Sequence, residues 1–195
     1  MGGRPANCVP PKHWLRPYIW QIISSTRNYC CPHSIGASDS AVKLSRRDLL
    51  CLHKDFRRLP RRGILLDPLC GKVFGPEDHA LLNSATLVGL DCSWAQITDS
   101  VATVKKRTRL TSRMLPLLLA ANPVNWGKAG KLCTAEALAA TLYLANHIEH
   151  AELLLSSFNW GERFIELNYE PLEAYRQATT SAELIQLQFE FFDIE

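Results

Sequence analysis

Between Met114 and Ala140 the sequence reads MLPLLLAANPVNWGKAGKLCTAEALAA, and this stretch limits the possible folds more than any other. Met114–Ala121 is a short apolar run closed by two alanines, which predicts a buried strand. Asn122–Lys131 places Pro123, Gly127 and Gly130 among asparagines and lysines, which predicts a loop. Cys133–His147 is rich in Ala, Leu and Glu and poor in breakers, which predicts a helix. Buried strand, glycine-containing loop and helix together make half of an α/β unit. Such units bind ligands at the strand's C-terminal end, against the helix N-terminus. A small-molecule site is therefore expected around Ala121–Glu136.

The surrounding chain supports the same class. Strand composition appears at Tyr18–Ser24, Gly63–Leu66 and Thr86–Leu90. Helices are expected at Ser40–His53, Pro76–Ser84, Trp94–Val104 and Glu149–Ser157, over Trp160–Ala178 with a break near Pro171, and at Ser181–Phe192. Short strands each followed by a helix predict a mostly parallel α/β core. A chain of 195 residues, 47% hydrophobic, is long enough to bury one. Residues 1–17 are rich in Gly and Pro and read as a flexible arm without the apolar core of a secretory signal. No apolar run has the length of a membrane span. Seven cysteines with no C-x-x-C spacing argue against a zinc site and a disulfide framework, and for free thiols in a reducing cytoplasm. The six histidines show no metal spacing, so no metal is expected. NWGKAGK is not a phosphate loop, and no GxGxxG follows a strand.

Charge is distributed unevenly. Residues 1–62 hold twelve Lys/Arg and three Asp/Glu; residues 132–195 hold two and eleven. A basic half beside an acidic half predicts a face for an acidic polymer; an unevenly charged solvated surface is the plainer alternative. The candidate nucleic-acid contacts are Arg46, Arg47, Lys54, Arg57, Arg58, Arg61 and Arg62, with Lys105, Lys106 and Arg107 as a second cluster.

Two residues near the expected site admit two readings each. Asp91, at the C-terminal end of a predicted strand, suits a ribose hydroxyl or a helix N-cap. Trp94 suits either the core or the wall of a site for a cation. Thr134, in the first turn of the central helix, lies where free N–H groups suit a carboxylate.

The sequence AANPVNWGKAGKLCTAEALAA, with LDCSW at Leu90–Trp94 before it and FNWGERFIELN at Phe158–Asn168 after it, resembles the aminocarboxypropyltransferases of small-subunit ribosomal RNA. The likeness extends over roughly Tyr18 to Tyr175. It implies a SPOUT-like domain with a C-terminal trefoil knot over 86–195, preceded by a small basic, RNA-facing α/β region over 18–85. It implies S-adenosylmethionine as cofactor and transfer of its 3-amino-3-carboxypropyl group to N3 of a uridine or pseudouridine. Small-subunit rRNA or the pre-ribosomal small subunit is the implied partner, and a cytoplasmic monomer is expected. The resemblance tips Asp91 towards ribose and Trp94 towards the cofactor. It adds Leu66 and Pro68 of LLDP, and the apolar Leu90, Leu115, Leu132 and Ala137, as an adenine slot. The family's N-terminal motif survives partly in CCPHSIGASDSAVKL, with Ser40 where threonine is expected, as a ligand of the amino-acid arm. Its Ser-x-x-Glu is Cys133-Thr-Ala-Glu136 here, which weakens the capping box. The catalytic base is open, with Asp91 a candidate if it is free of ribose. A methyltransferase of the same fold and a non-catalytic rRNA-binding assembly factor are the alternatives.

Overall fold

The computed structural model describes residues 21–24, 38–53, 56–91 and 97–193. The expected arm 1–17, Lys54 and Trp94 lie outside the described residues. Five strands form one wholly parallel sheet: β1 (Gln21–Ser24), β2 (Cys51–His53), β3 (Gly63–Leu66), β4 (Thr86–Asp91) and β5 (Thr111–Arg113), in the order β2-β1-β4-β3-β5. β4 lies at the centre, pairing with β1 through Ser24↔Asp91 and with β3 through Gly63↔Thr86. The expected division at 85/86 therefore cuts through a single sheet. Strands from both sides of it share hydrogen bonds.

Alternate residues of the central strands face opposite ways, as the two-residue strand period requires. Ile64, Leu66 and Leu87 join the larger core; Leu65, Val88 and Leu90 join a smaller one with Leu59, Val101 and Val104. The smaller core lies beneath α3 (Ile97–Arg107). The larger core is shared by α1 (Ser38–Arg46), α2 (His79–Ser84), α4 (Thr134–Leu144), α5 (Ile148–Leu155), α6 (Gly161–Leu167), α7 (Tyr169–Gln177) and α8 (Ser181–Phe191). Helix α4 is buried on almost every side, which its all-round apolar composition demands. Among the described residues no helix is long and apolar enough to cross a membrane.

Three expectations are corrected. The helix expected over Ser40–His53 ends at Arg46, and residues 51–53 are strand β2. Asp48 takes the left-handed conformation at φ 57, while Asp48 N donates to Ser45 O and Leu49 N to Leu44 O, both at 3.1 Å. This is a Schellman ending, with buried Leu44 and Leu49 meeting across it. Next, the strand expected over Met114–Ala121 leaves the sheet: Met114 still bridges to Val73, but among the described residues the only later ladder contact is an antiparallel bridge from Leu119 to Ala129. Its backbone is instead satisfied by side chains. Gln188 and the Tyr175 hydroxyl hold Leu117 N and O, and Asn168 holds both Leu119 N and O. The break expected near Pro171 falls at Asn168, and Pro171 sits inside the first turn of α7, where a missing N–H is tolerated.

Candidate functional site

The C-terminal end of β4 meets the N-terminus of α4. Asp91 closes β4 and is 5% exposed. The Thr134 hydroxyl lies 3.4 Å from both Leu90 O and the Asp91 carboxylate. Among the described residues that long contact is the one hydrogen bond to the carboxylate of a nearly buried acid, and burial pushes the Asp91 carboxyl up to about 6 against the opposing pull of the Thr134 hydrogen bond. Such a group has unused acceptor capacity for hydroxyls. Beside it, the first turn of α4 presents N–H groups and the positive end of the helix dipole, a setting for an anion.

Glu136 builds this corner. Its side chain is fully buried. One carboxylate oxygen accepts from Ala121 N at 2.7 Å and Asn122 N at 2.8 Å; the other accepts from Asn122 Nδ2 at 2.7 Å and Cys133 N at 2.6 Å. Both ends of the loop 122–133 are thus gathered onto one side chain. The glutamate half of the capping box is fully formed, and burial pushes the Cys133 thiol's pKa up, keeping it protonated. The sequence signal for Glu136 was its place three residues after the helix cap. Asn168, Gln188 and Tyr175, which hold the extended segment leading into the loop, carried no local signal.

The expected site residues are brought together in part. Leu66, at the end of β3, lies in the core against which Leu115, Leu132 and Ala137 pack. These four share the α4 side of the sheet. Leu90 does not join them: its side chain packs beneath α3, on the opposite face, and it meets Thr134 through its carbonyl. Strand alternation separates it from Leu66. Pro68 is half-buried after β3, next to the buried Asp67, whose carboxylate accepts from Leu69 N at 3.0 Å. Ser40 is buried in the first turn of α1, on the same face as α4.

The basic residues divide as well. Arg57, Arg58, Arg61, Arg62, Lys106, Arg107 and Arg109 are exposed. Arg109 N donates to Arg61 O at 3.0 Å, which joins the two clusters into one basic edge. That edge is at the strands' N-terminal end: Arg62 precedes Gly63, which pairs with Thr86, and Asp91 ends the same β4 strand about 17 Å away at ~3.3 Å per residue. Lys105 is ion-paired to Asp67 at 2.7 Å. Arg113, at the end of β5, is paired with the buried Asp78 at 2.6 Å. Arg46 ends α1 on the other face and Arg47 follows it, donating to the Ser157 hydroxyl at 3.3 Å.

Comparison with known proteins places this geometry in context. A family described as "Ribosome biogenesis protein, C-terminal" matches residues 64–192. The 16S rRNA aminocarboxypropyltransferase of Methanosarcina mazei is 43% identical over 146 residues, covering 75% of this chain and 82% of that protein. Its counterpart in Methanosphaera stadtmanae is 38% identical over 173 residues, covering 89% and 98%. Among solved structures, the SAM-dependent rRNA:acp-transferase Tsr3 from Vulcanisaeta distributa is similar with a TM-score of 0.70 at 31% identity, over 89% of this chain and 97% of that one.

Proposed function

Because this chain belongs to the family described as ribosome biogenesis protein, C-terminal, alongside archaeal 16S rRNA aminocarboxypropyltransferases, we propose that it transfers the 3-amino-3-carboxypropyl group of S-adenosylmethionine to N3 of a uridine or pseudouridine in small-subunit rRNA. The observation that carries this reading is the under-partnered, buried Asp91 beneath the N-terminus of α4. Asp91 suits the ribose hydroxyls. The Thr134 hydroxyl and the first N–H groups of α4 suit the carboxylate of the amino-acid arm. Leu66, Leu115, Leu132 and Ala137 offer an apolar slot for adenine, with Pro68 at its edge and Ser40 on the arm's side. Trp94, three residues past Asp91, is assigned to the cofactor's wall. When bound, S-adenosylmethionine supplies an alkyl carbon activated by its sulfonium, and transfer of the aminocarboxypropyl arm leaves 5′-methylthioadenosine.

The protein's share of the work is orientation. Methyl and aminocarboxypropyl groups hang on the same sulfur, so the group aimed at the acceptor is the group transferred. Fixing the arm's carboxylate at α4 presents its far carbon and turns the methyl away. The acceptor N3 gives up a proton, and a carboxyl whose pKa lies near 6 is matched to that task near neutral pH. Asp91 acts as that base in any pose that leaves one of its oxygens off the ribose. We read the fold as SPOUT-like and knotted. What supports that reading is the return of the chain from the edge strand β5 past β3 to the central strand β4, where Thr134 meets Leu90. The enzyme is proposed to act as a cytoplasmic monomer.

Donor labelled separately in the carboxyl carbon and in the methyl tests the reading. Carboxyl label is expected in the RNA and methyl label in the released thioether. Methyl label in the RNA would reassign the chain as a methyltransferase, and failure to bind the donor would leave it an rRNA-binding assembly factor.

A further inference from the structure

The loop that Glu136 closes carries an aromatic side chain that the fold leaves unused. Trp126 is 56% exposed, and Val124 beside it 63%. A tryptophan left in water forgoes a large apolar burial. The loop that presents it is tied at every turn. Asn125 N donates to Asn122 O and to Asn122 Oδ1, both at 3.1 Å, and Lys128 N donates to Asn125 O at 3.0 Å. Gly127 N donates to Ala120 O at 2.7 Å, Ala120 N to Lys128 O at 3.1 Å, and Gly130 N to Leu118 O at 2.9 Å. Gly127 and Gly130 occupy the left-handed region at φ 72 and 69, which lets the hairpin close tightly. Trp126 therefore stands on a preorganised tip, four residues from Asn122. Chain reach keeps it within about 14 Å of Asn122, whose N–H is held by Glu136 in the same first turn of α4 that carries Thr134.

The charge carried by the loop has one sign. Residues 122–133 contain Lys128 and Lys131, both exposed, and no Asp or Glu. An exposed indole on a loop that itself carries lysines and no acid fits a stacked nucleobase and its phosphate. A protein partner fits less well. Two exposed apolar residues make a patch far smaller than the roughly 800 Å² per side of a stable protein interface. The basic edge formed by Arg57–Arg62 and Lys106–Arg109 lies at the far end of β4 and, through phosphates, fixes register without fixing how a base is turned.

We propose that Trp126 is a stacking platform for an unpaired base adjacent to the acceptor uridine, with Lys128 beside the linking phosphate. The loop thereby sets the rotation of the acceptor in front of the donor, and the substrate is recognised as a single-stranded segment. This rests on the reading of the chain as an rRNA transferase.

The test uses Trp126→Ala and Trp126→Phe proteins, an rRNA fragment that the parent protein labels, and the same fragment made abasic at each neighbour of the acceptor in turn. Trp126→Ala is expected to raise the Kd and KM for the RNA about tenfold or more, with S-adenosylmethionine affinity and thermal midpoint unchanged, while Trp126→Phe recovers most of the loss. On one of the abasic fragments the parent and Trp126→Ala proteins should bind equally. Unaltered RNA affinity in Trp126→Ala overturns the proposal, as does a defect that persists in full on every abasic fragment. Should the parent protein label no RNA at all, the transferase reading fails separately. Quenching of tryptophan fluorescence by a short oligouridylate, compared between the parent and Trp126→Ala, then still decides whether Trp126 stacks bases.

Discussion

Two buried carboxylates flank the start of α4 and live in opposite surroundings. Glu136 is saturated by four donors and serves as a clasp. Asp91, among the described residues, has a single 3.4 Å side-chain contact. Burial raises the folded-state pKa of Asp91 from 3.8 to about 6. The folded protein thus favours the neutral acid more than the unfolded chain does. Its contribution to stability is complete below pH ~4 and is lost as the pH rises through about 6, by about 3 kcal/mol at ~1.4 kcal/mol per pH unit. Asp91→Asn removes that ionisation. Urea unfolding from pH 4 to 7.5 should show the variant pulling ahead of the parent by roughly 1–3 kcal/mol between pH 4 and 7, while its affinity for S-adenosylmethionine falls. A stability gap independent of pH would mean that Asp91 ionises without penalty. Glu136→Gln should behave differently: an amide oxygen replaces one of two carboxylate oxygens and an NH₂ confronts donors, so stability should drop by about 2–4 kcal/mol in urea unfolding at neutral pH.

At the scale of elements, the segment 115–121 is a strand without a sheet. One edge pairs with the returning loop and the other is met by side chains from the C-terminal helices. Asn168 stands in for a neighbouring strand: its Oδ1 accepts from Leu119 N at 2.7 Å, and its Nδ2 donates to Leu119 O at 2.9 Å and Phe164 O at 2.8 Å. Asn168→Ala strands those buried backbone groups. It should cost about 2–4 kcal/mol, and amide exchange at Leu119 should accelerate more than exchange in β4. Equal acceleration throughout would reduce Asn168 to an ordinary core residue. This element also marks where the sequence stops being readable. Strands β3 and β4, helices α3 to α8 and the places of Asp91 at a strand end and Thr134 in a helix's first turn were legible because their signals are local: apolar runs, caps, and spacing within a few residues; that Asp91 and Thr134 meet, 43 residues apart, was not. The fate of 115–121 was not, because its partners Asn168, Tyr175 and Gln188 lie 49, 58 and 71 residues away from the groups they hold. The β2 strand was missed for a smaller reason: Asp48 fills the left-handed helix stop that glycine usually signals.

For the molecule as a whole, the sheet turns a charge gradient along the sequence into a separation in space. The acidic C-terminal third forms the outer helices of the larger core. The basic residues gather where Arg109 N meets Arg61 O, at the end of the sheet away from Asp91. Sequence separates these two clusters by some forty residues, and only the parallel β3–β5 pairing, Ile64↔Thr111, makes them neighbours. An rRNA segment bound there must run along the flank of α3 to deliver a base to the C-terminal ends of the strands, a span of about 17 Å along β4. Phosphate contacts at that edge should therefore supply affinity and little of the chemistry. Neutralising Arg57, Arg58, Arg61 and Arg62 together to Gln should weaken binding of rRNA fragments. It should flatten the slope of log Kobs against log salt by about 3, at ~0.7–0.9 per phosphate contact. Affinity for S-adenosylmethionine should be retained, because none of the four approaches Asp91 or Thr134, and kcat at saturating RNA should change far less than KM. A salt slope equal to the parent's would move the phosphate track to the other basic end, Arg46 and Arg47 at the end of α1, which lies across the sheet. A collapse of kcat with KM intact would instead place the arginines at the acceptor itself, contrary to the strand register that puts them at the opposite end of β4.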